Sequence, residues 1–331
     1  MKHRRFWQVA MMLVMVLGLA FASCEMDGGS GNGGTSNGGG DTNAGGTGPG
    51  DNQQVPPDIN GVSLPTMVWI EPGTFTMGQN EGLPILATPA TERQVTLTRG
   101  FYMGIHEVTQ ELYYAVMGAN PGAFNNPTVG DEWGRLPVGN ITWYHAIAFA
   151  NRLSLLLGLE PVYSVEGVSN TDPDAWLHSA VPSVFSMAWS EANVNWNANG
   201  FRLPTEAEWE FAARAGTTTQ WSFGDTYDNI DDYAWTNRNS DFMPHLVGTK
   251  RPNAWGLYDM HGNMEEWVWD RFEDHDATAV VDPKGAVDGL VRLTRGGSFL
   301  SSPAGVISAT RNNLLPVNLW HPVIGFRIAR N

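Results

Sequence analysis

A chain of 331 residues with 42% hydrophobic content and 14 tryptophans has room for one large domain or two and for a substantial core. Its 34 acidic against 19 basic side chains leave a net charge of −15, which excludes a nucleic-acid partner and attraction by charge to an anionic bilayer. The single cysteine, Cys24, excludes an internal disulfide and a cysteine-built zinc site.

Residues 1–23 begin with Lys2, Arg4 and Arg5, continue as an apolar run from Phe6 to Ala22, and end in the small pair Ala22-Ser23. The run is short for a membrane span and carries Gln8, so it is expected to be an export signal. Phe21-Ala22-Ser23-Cys24 resembles a bacterial lipobox, with Phe21 where leucine is usual. That resemblance implies lipidation of Cys24, a membrane anchor there, and a place on the outer membrane or cell surface. Residues 24–60 are dominated by Gly, Ser, Asn, Thr and Asp, a composition that cannot bury enough apolar area to offset ordering, and are expected to form a tether. The folded domain is expected over 61–331.

Within it, Met67–Ile70 and Gly73–Gly78 flank a Glu71-Pro-Gly turn and predict two strands, followed by strands at Val95–Thr98 and Phe101–Met103. Residues 107–118 predict a helix capped by Thr109 and stopped by Gly118. Thr142 to Gly158 predict a longer one, with Ile147, Ala150 and Leu153 on one face and His145 as a cap or packed residue. Pro204 and the Thr205-x-x-Glu208 capping box open a third helix, whose Glu206, Glu208 and Glu210 complement its dipole. Beyond Gly216, four tryptophans between 221 and 267 stand among turn residues, so regular structure is expected to be sparse.

The last segment is framed by Arg295-Gly-Gly-Ser298 and Gly325-Phe-Arg327. Each joins a glycine suited to tight packing to a guanidinium that needs partners. Between them Phe299–Ile324 shows neither strand nor helix periodicity and holds three prolines, the signature of loops fixed at both ends.

Taken in order, Val68–Gly78, Glu107-Val-Thr109, Arg202–Glu210, Gly256–Trp267, Arg295–Ser298 and Gly325–Arg327 resemble the formylglycine-generating-enzyme (sulfatase-modifying-factor) family over about residues 66–330. The resemblance implies an α+β, C-type-lectin-like fold low in regular secondary structure. The enzymes use two cysteines shortly after Arg-Gly-Gly-Ser to bind copper, and the matching positions here are Ser301 and Val306. A hydroxyl is a poor soft-metal ligand and a valine is none, so no catalytic residue is assigned. An atypical metal-dependent oxidoreductase is the alternative, with His245, His261 and His321 as its ligands. The Gly262–Trp267 stretch aligns with one that helps hold a structural calcium in the enzymes, which makes Asn263 and Glu266 candidate oxygen donors; no other cofactor is implied.

The C-terminal segment further resembles variable proteins diversified by retroelements, among them a treponemal variable lipoprotein. Its framework would be Arg295–Ser298, Ser308-Ala309, Arg311, Pro316 and Gly325–Arg327, within a variable segment of about 293–331. The diversified, ligand-contacting positions would be drawn from Leu300, Ser301, Ser302, Ala304 and Gly305, from Ile307, Thr310, Asn312, Asn313 and Leu314, and from Val317, Leu319, Trp320, His321 and Pro322. Such a surface, with aromatic anchors among adaptable polar groups, suits a variable protein or glycan ligand on other cells or a host.

Overall fold

The computed structural model describes residues 58–79, 90–122, 124, 132–312 and 316–331. The expected signal peptide, the expected lipidation site Cys24 and nearly all of the expected tether lie outside the described residues. The domain begins earlier than Gly61: Asp58–Ile59 pairs antiparallel with Val62–Ser63, and Ile59 is buried in the core.

Three helices of eight or more residues occur among the described residues. Helix α1 (Gln110–Met117) starts where Thr109 Oγ1 accepts from the Leu112 N–H and ends at Gly118, whose φ of 71° is the left-handed conformation that glycine adopts freely. Helix α2 (Trp143–Leu156) opens with a reciprocal box between Thr142 and His145, so His145 is a capping residue, as the sequence indicates. Helix α3 (Glu206–Arg214) opens with the expected Thr205–Glu208 box.

Regular structure is otherwise short, and no strand among the described residues exceeds the eight residues of Ala90–Leu97. Gly73–Gln79, Ala90–Leu97 and Val280–Val281 form one sheet. Met67–Ile70, Phe101–Gly104, Ala329–Arg330 and Phe201–Arg202 form an antiparallel one, which ties the C-terminal strand to the middle of the chain. A mixed sheet of Arg311–Asn312, Arg292–Arg295, Glu265–Arg271 and Ile324–Gly325 carries both ends of the C-terminal segment, because Glu265 and Glu266 run parallel to Ile324 and Gly325.

One hydrophobic cluster surrounds α2 and buries Trp143, Trp176 and Trp267; a second packs Trp209 and Phe211 of α3 against Val95 and Leu293. A third, smaller cluster sets Val306 and Ile307 against Trp221, Ile230 and Ala234, and so fastens the C-terminal loops to the turn-rich region after α3. Large rings supply much of this core, and their polar edges find partners: Trp143 Nε1 donates to Val268 O (3.0 Å), and Trp209 Nε1 to Glu266 Oε2 (2.7 Å).

Candidate functional site

The C-terminal loops leave the mixed sheet at Gly296 and Gly297, both in left-handed conformation. A Cβ on Gly297 would stand 2.7 Å from Gly305 O and 2.8 Å from Val306 Cγ1, so only glycine lets the loop fold back this closely. Arg295, fully buried, then pins the returning strand through its backbone, donating to the carbonyls of Ser308 (2.8 Å) and Ala309 (3.2 Å).

The same guanidinium meets Glu210 of α3 at 2.5 Å, while Arg311 meets Glu206 at 2.6 and 3.2 Å. Burial pushes the Glu206 carboxyl up, but Arg311, a hydrogen bond from His275 and Arg295 outweigh it and hold it well below the usual range. Arg327 closes the far end, donating to Glu266 at 2.6 and 2.7 Å and to the carbonyls of Gly104 and Tyr258. The clustered acids of α3 are therefore ion-pair partners: Glu206 and Glu210 anchor the loops, and Glu208 holds Arg202.

Between these anchors the side chains divide. Leu300, Ser302, Ala304, Leu319 and Trp320 are exposed, with Trp320 at 61%; Ser301, Gly305, Asn312, His321 and Pro322 are half-buried. Ile307, Thr310 and Val317 are buried, and this corrects their place in the expected contact surface. Ile307 belongs to the cluster with Trp221, and Val317 to the main core beside Val323 and Ile324, so both serve packing. Asn313 and Leu314 lie outside the described residues.

The two exposed stretches are joined underneath. Phe299 packs edge-to-face on Phe124 (5.4 Å), Asn140 Nδ2 donates to Pro121 O (2.8 Å), and the Asn140 N–H donates to His321 O (3.1 Å). Phe242, 67% exposed, joins this surface without any sequence signal. Ser240 Oγ donates to Phe299 O (2.8 Å) and accepts from the Phe242 N–H (3.2 Å), which brings the backbone of Phe242 close to that of Phe299.

Ser301 and Val306 come together around Gly297, and Ser301 Oγ accepts from the Ser298 N–H (3.0 Å). Two of the three histidines proposed for an atypical metal site, His261 and His245, are otherwise engaged. His261 Nδ1 donates to Val306 O (2.8 Å), which leaves Nε2 as acceptor for the Ser222 N–H (3.1 Å); burial lowers its pKa to about 4. His245 donates from Nε2 to Ser240 O (3.0 Å) and stacks on Trp235 at 3.6 Å. Among the described residues no group of three or more His, Cys, Asp or Glu side chains is arranged to hold a metal ion.

Asn263 and Glu266 do not fit the calcium role the resemblance implies. Both oxygens of Glu266 are taken by Arg327 and Trp209, and Asn263 Oδ1 accepts from the His245 N–H (2.9 Å) while its Nδ2 faces Glu107. A guanidinium in bidentate contact with a carboxylate occupies the lone pairs a cation would need. The neighbouring carboxyls of Glu107 and Asp259 are fully buried, and burial raises both, Asp259 to about 6. Glu107 Oε2 and Asp259 Oδ1 have no hydrogen-bond partner among the described residues, and keeping one of the two carboxyls protonated costs less than burying two negative charges together.

This fold, with its glycine-led loops and arginine anchors, matches a known domain family. The model of the sulfatase-modifying factor enzyme 1-like domain covers residues 52–331, and the chain belongs to that family. Among solved structures the chain is similar to Treponema denticola variable protein 1, with a TM-score of 0.73 and 38% identity over 80% of this chain and 94% of that one. Among characterised sequences it is 32% identical over 253 residues to the chaperone protein LppX of Paenibacillus barcinonensis, covering 71% of this chain and 79% of that protein. It is 29% identical over 256 residues to the formylglycine-generating enzyme of Mus musculus, covering 72% and 67%. The α+β fold of the formylglycine-generating-enzyme type and the kinship with a treponemal variable protein are therefore established.

Proposed function

We propose that this protein is a non-catalytic binding member of the family. It is exported, lipid-anchored through Cys24 at the outer membrane or cell surface, and engages a variable protein or glycan ligand through its C-terminal loops, which a retroelement diversifies. The observation that carries this reading is the exposure of Leu300, Leu319 and Trp320 on loops whose ends are held by fully buried Arg295, Arg311 and Arg327. Large apolar side chains presented on a rigid frame are what a recognition surface needs.

Loss of chemistry fits the same picture. The matched region, 52–331, contains no cysteine, and the positions that resemble the copper ligands hold a hydroxyl and a buried methyl pair.

The reading is tested by sequencing the 293–331 codons across many cells of one population. Substitutions are expected at Leu300, Ser302, Ala304, Leu319 and Trp320, with Arg295, Arg311 and Arg327 constant. A segment uniform across cells, or purified full chain that binds one copper and oxidises a cysteine-containing peptide with oxygen, would overturn it.

A further inference from the structure

A cleft of about 510 Å³ lies outside the 300–322 loops, where the end of the Ala90–Leu97 strand meets the 194–197 and 282–284 turns. Its size falls within the roughly 300–1,000 Å³ of small-molecule sites. The side-chain carboxylate and amide acceptors in its wall are already committed. Glu208 takes two hydrogen bonds from Arg202 (2.6 and 2.8 Å), and Asp282 takes two from Thr98 (2.8 and 2.5 Å). Asn331 Oδ1 accepts from Arg202 at 3.0 and 2.8 Å, and Asn195 Oδ1 accepts from the Asn197 N–H at 3.1 Å.

What remains uncommitted is donors. Arg99 gives one N–H to Asn197 Oδ1 (3.0 Å), and neither it nor Lys284 has a carboxylate partner among the described residues. Lys284 Nζ stands 4.4 Å from the ring centroid of half-buried Trp196, so its ammonium is held at the cleft by an aromatic face. With Arg202, three cationic side chains line the cleft against the side-chain carboxylates of Glu208 and Asp282, in a chain whose net charge is −15. A ligand that satisfies this wall must bring oxygens and negative charge.

We infer that the cleft binds an acidic saccharide, with Arg99 and Lys284 taking uronic-acid carboxylates and the Asn197 amide nitrogen taking a hydroxyl. A single inorganic anion would leave most of the volume empty, whereas a short chain of sugar rings fills it and uses the Trp196 edge as apolar contact. The inference does not rest on the C-terminal loops.

Titration of the full chain with trigalacturonate, followed by calorimetry, tests it. Saturable binding of one molecule per chain is expected, weakened at least about tenfold by Arg99→Gln and by Lys284→Met, since each removes a charge-assisted contact. Both side chains are exposed, so the unfolding temperature of each variant should match that of the parent. Trp320→Ala should leave the binding unchanged, and neutral maltotriose should not bind. Equal affinity in the two charge variants, equal affinity for maltotriose, or loss of binding in Trp320→Ala would overturn the assignment. Displacement by inorganic sulfate at the concentration of the saccharide itself would show a site for any small anion and overturn it as well.

Discussion

Helix α3 and the 300–322 loops meet across the same arginines, yet they are built on opposite terms. Eight of the nine α3 residues are buried, and its capping box, apolar stripe and three carboxylates each have one structural partner or more. The loops have no repeating pattern, and their anchoring runs mainly through backbone: Arg295 holds the carbonyls of Ser308 and Ala309, and Asn237 donates its N–H to Ser301 O at 3.0 Å. An anchor that grips carbonyls is indifferent to the side chains those residues carry. The helix therefore bears the constraint, and the loop side chains that point outward are left free to change.

Removing an anchor should have the largest effect. Arg295→Met would leave Glu210 and Glu206 buried with fewer partners and free the two loop carbonyls, and loss of one member of a buried charge network typically costs about 3–5 kcal/mol. Denaturant unfolding of the variant checks this; a loss under about 1 kcal/mol would mean that the loops are held by something other than the guanidinium.

Next comes the division within the loops. Ile307→Ala should cost about 2–5 kcal/mol because it opens a void against Trp221 and Ile230. Leu300→Ala, at 45% exposure, should stay within about 0.5 kcal/mol in the same unfolding experiment. Equal costs would erase the distinction between packed and presented positions.

That distinction marks the limit of what the sequence makes legible. Caps are local chemistry, so Thr109, Gly118, Thr142 and the Thr205–Glu208 box appear where residue type places them. The framework arginines are legible as groups needing partners, although the partners, 61 to 105 residues away, are not. The strand Glu265–Arg271 is buried on both faces from Glu266 onward, so its residues do not alternate and give no strand signal. Ile307 and Val317 escape for a related reason: a loop buries single side chains in pockets set by distant segments, and no period records it. A motif comparison likewise cannot reveal that Glu266, a candidate calcium donor by resemblance, has both side-chain oxygens paired with Arg327.

Acid should weaken the fold by a more gradual route. His145 and His261 are held neutral by burial, reinforced at His145 by stacked His178, with folded pKa values of about 3 and about 4 against a usual 6.5. Both lie below the unfolded value, so their contribution is intact above about pH 6.5 and is lost progressively as pH falls toward 4, where the unfolded chain takes up protons the folded one refuses. Asp259 works in the opposite sense, since its raised pKa means that the folded chain holds a proton between about pH 4 and 6 that the unfolded one releases. Unfolding midpoints measured from pH 7 to 4.5 should fall with acidification, less steeply in His261→Gln and more steeply in Asp259→Asn. Equal slopes in the parent protein and in His261→Gln would show that His261 is not held neutral by burial.

The smallest effect on stability should come from the residue of greatest interest in the loops. Trp320 is 61% exposed, and its neighbour His321 is fixed through the backbone, where its carbonyl accepts from the Asn140 N–H. Trp320→Ala should therefore leave the unfolding midpoint within about 0.5 kcal/mol of the parent while abolishing the attachment proposed for the C-terminal loops, because tryptophan is enriched among the residues that carry recognition energy. The two readouts separate the roles that Arg295 joins: a variant that lost both would place Trp320 in the framework, and one that lost neither would move the contact surface toward Leu300 and Phe242. Only loss of attachment with an unchanged fold fits loops held by carbonyls and read through side chains.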